Sequence, residues 1–181
     1  MTRVELKTFT FAKGSKSLSI DNAVLGQIPK RLVLVMLKNT DFIGSTDSNP
    51  FNFRHFDLTN FVMYVNGKQV PNNGLTLDPS RAKASVMAYR QLFEASGIHH
   101  ANEGLQVTHD MFISGYFILP FDLTPDRSAC DKHTSHPENG PIRIELQFAK
   151  ELPEATTCLL YCEYDGSVRI DYSRTVATDF F

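Results

Sequence analysis

The densest group of chemically able side chains in this chain is Cys130-Asp131-Lys132-His133-Thr134-Ser135-His136, which brings a thiol, a carboxylate and two imidazoles into one short stretch. Zinc would want four nitrogen or sulfur ligands in a tetrahedron. Cys130, His133 and His136 have no fourth donor close by, so the stretch reads as a solvated loop and not as a metal site. His99-His100 and His109-Asp110 invite an acid–base or metal assignment, yet neighbours on an extended chain point to opposite faces, and loop histidines suffice. No Gly-x-Ser-x-Gly elbow presents a nucleophile, and the cysteines lack a local setting that would lower a thiol pKa. The phosphate-cradling patterns Gly-x-x-x-x-Gly-Lys and Gly-x-Gly-x-x-Gly are absent. The expectation is a protein that is not an enzyme, needs no cofactor or metal, and works through its surfaces.

Composition narrows the class further. A formal net charge of −2 argues against direct binding of nucleic acid, because phosphate-neutralising domains concentrate Lys and Arg into a strongly basic face. Fourteen Phe and six Tyr with no Trp suit a core of flat rings between pleated sheets. At 181 residues the chain is read as one domain, 1–181, large enough to do without disulfide staples. Cys158 and Cys162 lie four apart in an expected strand, which places their α-carbons roughly 13 Å apart and beyond disulfide reach. A reducing, intracellular setting fits. Met1-Thr2-Arg3-Val4-Glu5-Leu6-Lys7 has no apolar h-region, and no run approaches the length of a membrane span.

The elements that would position any surface are mostly strands. The expected strands are Arg3 to Phe11, Ser17 to Ile20, the doubly buried run Leu32 to Leu37, a hairpin about Asn66-Gly67, Tyr116 to Phe121, Ile142 to Phe148 and Thr157 to Tyr164. Asn66-Gly67 suits a type I′ turn, and Pro71-Asn72-Asn73-Gly74 reads as the turn that ends the hairpin. Asp165-Gly166 reads as a second tight turn into Ser167 to Asp171. Pro120 hints at a sheet edge or a bulge. Thr40 to Pro50 and Asp126 to Gly140 read as polar loops. One helix is expected over about 79–96, with Asp78 as cap, Pro79 at its first position, Gly97 beyond its end, and Ala82, Val86, Tyr89 and Phe93 as its apolar face. The expected fold class is all-β: a jelly-roll β-sandwich of about eight antiparallel strands with one inserted α-helix. The His-x-His pair of a metal-binding cupin, which shares that scaffold, does not occur.

Candidate contact residues are aromatic. Phe51, Phe53 and Phe56 crowd the approach to the Asn66-Gly67 hairpin, where packing between the sheets is the first reading and contact with a neighbouring chain the second, and Phe180 and Phe181 end the chain, where two rings have little reason to sit in water. For a small-ligand site, Tyr64, His55 and Asn60 offer a stacking ring beside polar groups.

Several blocks in order, Val24-Leu25-Gly26-Gln27-Ile28-Pro29-Lys30, Asn49-Pro50-Phe51-Asn52-Phe53-Arg54-His55, Tyr64-Val65-Asn66-Gly67, Phe121-Asp122-Leu123-Thr124-Pro125-Asp126 and Ile142-Arg143-Ile144-Glu145-Leu146 onward to Ile170, carry a family likeness. They resemble the C-terminal half of the hexon-like, double jelly-roll major capsid proteins of Polinton (Maverick) elements and adintovirus-like viruses. The resemblance implies a structural viral capsid protein of the virion, assembled inside the host cell in cytoplasm or nucleus, whose partners are other capsid chains. In that family two tandem jelly rolls trimerise into a pseudo-hexagonal capsomer of an icosahedral shell. This chain is long enough for the second jelly roll alone, so a homotrimer is expected when an N-terminal jelly roll is present. An excised domain, a degraded insertion and a domesticated host gene remain open, as does a stand-alone jelly-roll module that binds carbohydrate or peptide.

Overall fold

The first four strands of the chain find their partners, in reverse order, in the next four. The computed structural model describes residues 1–78, 85–99, 101–131 and 135–179. β1 (Thr2–Phe11), β2 (Ser17–Val24), β3 (Arg31–Lys38) and β4 (Leu58–Val65) lead to the Asn66-Gly67 turn. β5 (Lys68–Thr76), β6 (Ile118–Asp122), β7 (Ile142–Phe148) and β8 (Thr156–Asp165) return. These strands pair antiparallel: β4 with β5, β3 with β6, β2 with β7 and β1 with β8. This nested ribbon then folds over on itself, with β3 also pairing with β8 and β4 with β7, and so divides into two four-stranded sheets, β1-β8-β3-β6 and β2-β7-β4-β5. The result is an all-β jelly-roll sandwich.

The hairpin tip behaves as its residues dictate, with Asn66 at φ 51° and Gly67 at φ 75°, the two positive values that a type I′ turn requires. Between the sheets, Leu32, Leu34 and Met36 of β3 meet Ile142, Ile144, Leu146 and Phe148 of β7 in one core, all of them buried. Phe61 of β4 stacks on Phe121 of β6 with ring centroids 4.7 Å apart and planes 12° apart, joining the two layers. Pro120 lies in β6, an edge strand, where its missing N–H costs no ladder bond.

Several expectations are corrected. The sandwich has the eight strands expected of it, and β9 (Ser167–Ile170) and β10 (Val176–Asp179) add a separate ribbon, which makes ten strands among the described residues. Asp165-Gly166 does not reverse the chain onto β8. Neither residue has positive φ, and Gly166 instead exchanges hydrogen bonds with the backbone of Met1, so β9 turns to β10 for its partner. Pro71 to Gly74 do not end the hairpin; β5 runs through them. Phe61 opposes Leu75 and Met63 opposes Val70, so these turn-forming residues are taken up as a bulge on an edge strand.

Helices number three among the described residues. α1 (Asn39–Ile43) replaces the start of the expected 40–50 loop, with Asp41 in its first turn and Gly44 at φ 109° ending it. α2 (Val86–Ala95) is the later part of the helix expected over 79–96; Pro79, Ala82 and Lys83 lie outside the described residues. Its buried side is Ala88, Leu92 and Ala95, whereas Val86, expected inward, is exposed. Gly97 follows at φ 77°, as a helix C-terminus prefers. α3 (His109–Ser114) stands where a loop histidine was expected: Thr108 caps it by accepting a hydrogen bond from Met111 N–H at 3.3 Å. No helix among the described residues is long and apolar enough to cross a membrane.

Candidate functional site

The surface that stands out is the outer face of the β1-β8-β3-β6 sheet. Along β8, Cys158, Leu160, Cys162 and Tyr164 are buried in the core, so Leu159, Tyr161 and Glu163 between them point outward. Register then sets their neighbours: Leu6 stands opposite Tyr161, Tyr161 opposite Val33, and Val33 opposite Pro120, one apolar row across all four strands. Leu6 is 58% exposed and Tyr161 39%, while Pro120 at the far end is buried where α2 packs on β6. Val4, also exposed, extends the patch along β1. Single exposed apolar residues are ordinary, but a contiguous row across strands marks a contact surface.

Charge and hydroxyl groups frame this row. At one end Glu163 accepts from Arg31 at 3.1 Å, and Lys30 reaches Asp165 at 2.8 Å. At the other, the Thr10 and Thr157 hydroxyls lie 3.3 Å apart, and Thr157 donates to Asn39 at 2.9 Å. The inner side of β1 carries Arg3, Glu5 and Lys7 at the seam between the sheets, with Arg3 and Glu5 ion-paired and the Arg3 guanidinium 4.4 Å from the Tyr164 ring centroid. Burial pushes the Tyr164 hydroxyl pKa up. It likewise pushes the Cys158 thiol up to about 12 and the Cys162 thiol to about 11.

The predicted contact residues are dispersed. Phe51 is 71% exposed and meets Phe53 edge-on at 6.4 Å, and Phe53 is tied to Gly115 and Phe117 by backbone hydrogen bonds. Phe56 leans against the core from a turn closed by Leu58 N–H donating to His55 O at 2.8 Å. Phe56 and Asp57 both hold positive φ there, a conformation that costs a side-chain-bearing residue about 1–3 kcal/mol. Phe180 and Phe181 lie outside the described residues. The small-ligand trio is not brought together: Tyr64 lines a depression with Asp21 and Arg143, and His55 lines another with Arg54 and Lys150.

Polar groups also gather elsewhere. Ser85 Oγ lies 3.1 Å from His109 Nε2, the separation of a nucleophile and its base, and Ser85 is 1% exposed. The depression beside His55, about 450 Å³, sets two basic side chains, Arg54 and Lys150, against three acidic ones, Asp57, Glu151 and Glu154. His55 Nδ1 accepts from Asp57 N–H at 2.9 Å; burial holds its pKa down, partly offset by the Asp57 carboxylate. Among the described residues no three His, Cys, Asp or Glu side chains gather as metal ligands would, and His133 falls outside them.

Sequence inspection missed the Leu6–Tyr161–Val33 row. The strands that carry it were legible, but β1 has apolar residues on both parities, Val4 and Leu6 on one and Phe9 and Phe11 on the other. Only the register against Cys158, Leu160 and Cys162 decides which set faces out.

No protein-family model matches the chain. An uncharacterized protein of Caenorhabditis elegans is 27% identical over 183 residues, an alignment that covers 99% of this chain and 43% of that protein. A chain in the 3.5 Å cryo-EM structure of the Sputnik virophage matches with a TM-score of 0.55 at 13% identity, over 99% of this chain and 38% of that one. This chain thus spans less than half the length of either protein, and its likeness to the virophage chain is a likeness of fold.

Proposed function

We propose that this chain is a structural, non-enzymatic capsid domain, a rigid jelly-roll tile that adheres to other capsid chains through the outer face of the β1-β8-β3-β6 sheet. The observation that carries the proposal is the Leu6–Tyr161–Val33 row, with Leu6 and Tyr161 exposed and Val33 half-buried. A fold shared with a chain of a virophage supports it, and so does a match to less than half of each longer protein, as one of two tandem jelly rolls would give. In this reading the chain belongs with the hexon-like capsid proteins of Polinton and adintovirus-like elements, sits in the virion after assembly inside the host cell, and forms homotrimeric capsomers when joined to an N-terminal jelly roll. It makes no direct contact with nucleic acid and does not span a membrane.

Sedimentation equilibrium of the 181-residue chain carrying Tyr161→Glu with Val33→Glu tests the face. Removing a central aromatic anchor from an interface costs about 2 kcal/mol or more, so self-association should weaken by roughly 30-fold or more. Thermal unfolding serves as the fold control. Folded variants that associate as the wild type does would contradict the assignment.

A further inference from the structure

We infer that β1 also pairs, edge to edge, with β1 of a second copy of this chain. Of the four edges that the two sheets present, three carry a device that blocks pairing. β6 contains Pro120; β5 contains Pro71 and a register shift; β2 is broken by a register shift between Ile20 and Val24, with Asn22 at φ 53°. β1 carries none of these. It runs ten residues from Thr2 to Phe11 with an unbroken register against β8 and no Pro or Gly. On its far side no strand pairs with it among the described residues, so about half of its backbone N–H and C=O groups face outward unladdered.

The side chains of β1 select a second copy as the occupant. An antiparallel pair about a two-fold axis, with both cores on the same side of the joined sheet, must be centred on one residue. Centred on Leu6, the pair sets Leu6 against Leu6, Val4 against Thr8, Thr2 against Thr10, and Glu5 against Lys7 twice over. Centred on Glu5 it would set Glu5 against Glu5 and Arg3 against Lys7, and centred on Lys7 it would set Lys7 against Lys7. Opposed unlike charges stabilise a cross-strand pair and like charges destabilise it, so the Leu6 register is favoured over both neighbours. Inward-pointing charges on an edge normally deter pairing, because a foreign strand would bury them unmatched. Here the second copy supplies the matching charge for Glu5 and Lys7, while Arg3, set opposite Phe9, keeps Glu5 of its own chain as its partner, so the same residues exclude strangers and admit self. Glu5 and Lys7 keep substantial exposure, 38% and 31%; Glu5 pairs through Oε1 with Arg3 of its own chain, and its Oε2 lies 4.0 Å from Lys7, so that second oxygen is the one left for the intermolecular Lys7. The paired sheets would run continuously through eight strands. This contact is distinct from the outer-face one and stands without it.

The test is a charge-exchange cycle on the 181-residue chain, read by sedimentation equilibrium with circular dichroism as the fold control. The wild type should show a dimer contact, and Glu5→Lys or Lys7→Glu alone should weaken it about tenfold or more by opposing like charges at two symmetric positions. The double variant Glu5→Lys with Lys7→Glu should recover wild-type association. A wild type that stays at the mass of one chain near 100 µM, a typical concentration for detecting weak homodimers, would overturn the inference, as would association indifferent to the single changes or a folded double variant that fails to recover. If Tyr161→Glu with Val33→Glu has no effect while the charge cycle behaves as described, the outer-face assignment fails and the β1 contact survives.

Discussion

Phe61→Ala is expected to lower the unfolding free energy by about 3–5 kcal/mol, the usual range for deleting a fully buried phenylalanine. Phe61 is fully buried, and its ring stacks on Phe121 of the opposite sheet at 4.7 Å. The loss therefore combines apolar burial, the cavity left between two sheets that cannot collapse independently, and an aromatic pair that adds about 0.5–1.5 kcal/mol. For a chain of this length each kcal/mol moves the midpoint by about 2–4 °C, so Tm should fall by roughly 6–20 °C. Urea unfolding of the wild type and variant measures it. A change under about 1 kcal/mol would place Phe61 outside a packed interlayer core.

The second large effect concerns thiol chemistry. Cys158 and Cys162 sit on the core side of β8, and burial pushes their pKa values up to about 12 and about 11. The thiolate, which is the reacting species, is scarce for both, and reagent reaches them only when the sandwich opens. Cys130 is exposed, with the Arg31 guanidinium 2.7 Å from its sulfur. In native buffer a chromogenic disulfide reagent should modify Cys130 promptly and the two β8 thiols about 10³-fold more slowly or worse, following the rarity of global opening. All three should react at once in denaturant. Prompt modification of three thiols in the folded protein would mean that β8 does not lie between the sheets as described.

Where local chemistry had a single solution, the sequence revealed it. Asn66-Gly67 can make a type I′ turn with no tertiary help, and Ile142 to Phe148 alternates so strictly that strand, bounds and buried face coincide with β7. Where two solutions were locally equivalent, tertiary structure chose. Asp165-Gly166 has the same turn chemistry as Asn66-Gly67, but pairing with Met1 holds it extended. Pro71 to Gly74 would end a free hairpin, yet an edge strand beside Val62 absorbs them as a bulge. α1 and α3 are single turns or little more, too short for periodicity to show, although the Thr108 cap ahead of Asp110 was a usable signal. The candidate site was the least legible part. Phe51, Phe53 and Phe56 announce themselves by type, whereas the Leu6–Tyr161–Val33 row is assembled from three strands distant in sequence and exists only once register is fixed. For β1 the local pattern was silent on which face is buried, because both parities carry apolar side chains.

The most direct test of the capsid assignment is the mass, by multi-angle light scattering, of this chain joined behind an N-terminal jelly roll, the arrangement proposed for the longer proteins it matches. A trimer of that joined chain is the predicted result. A strictly monomeric mass at every concentration would contradict it.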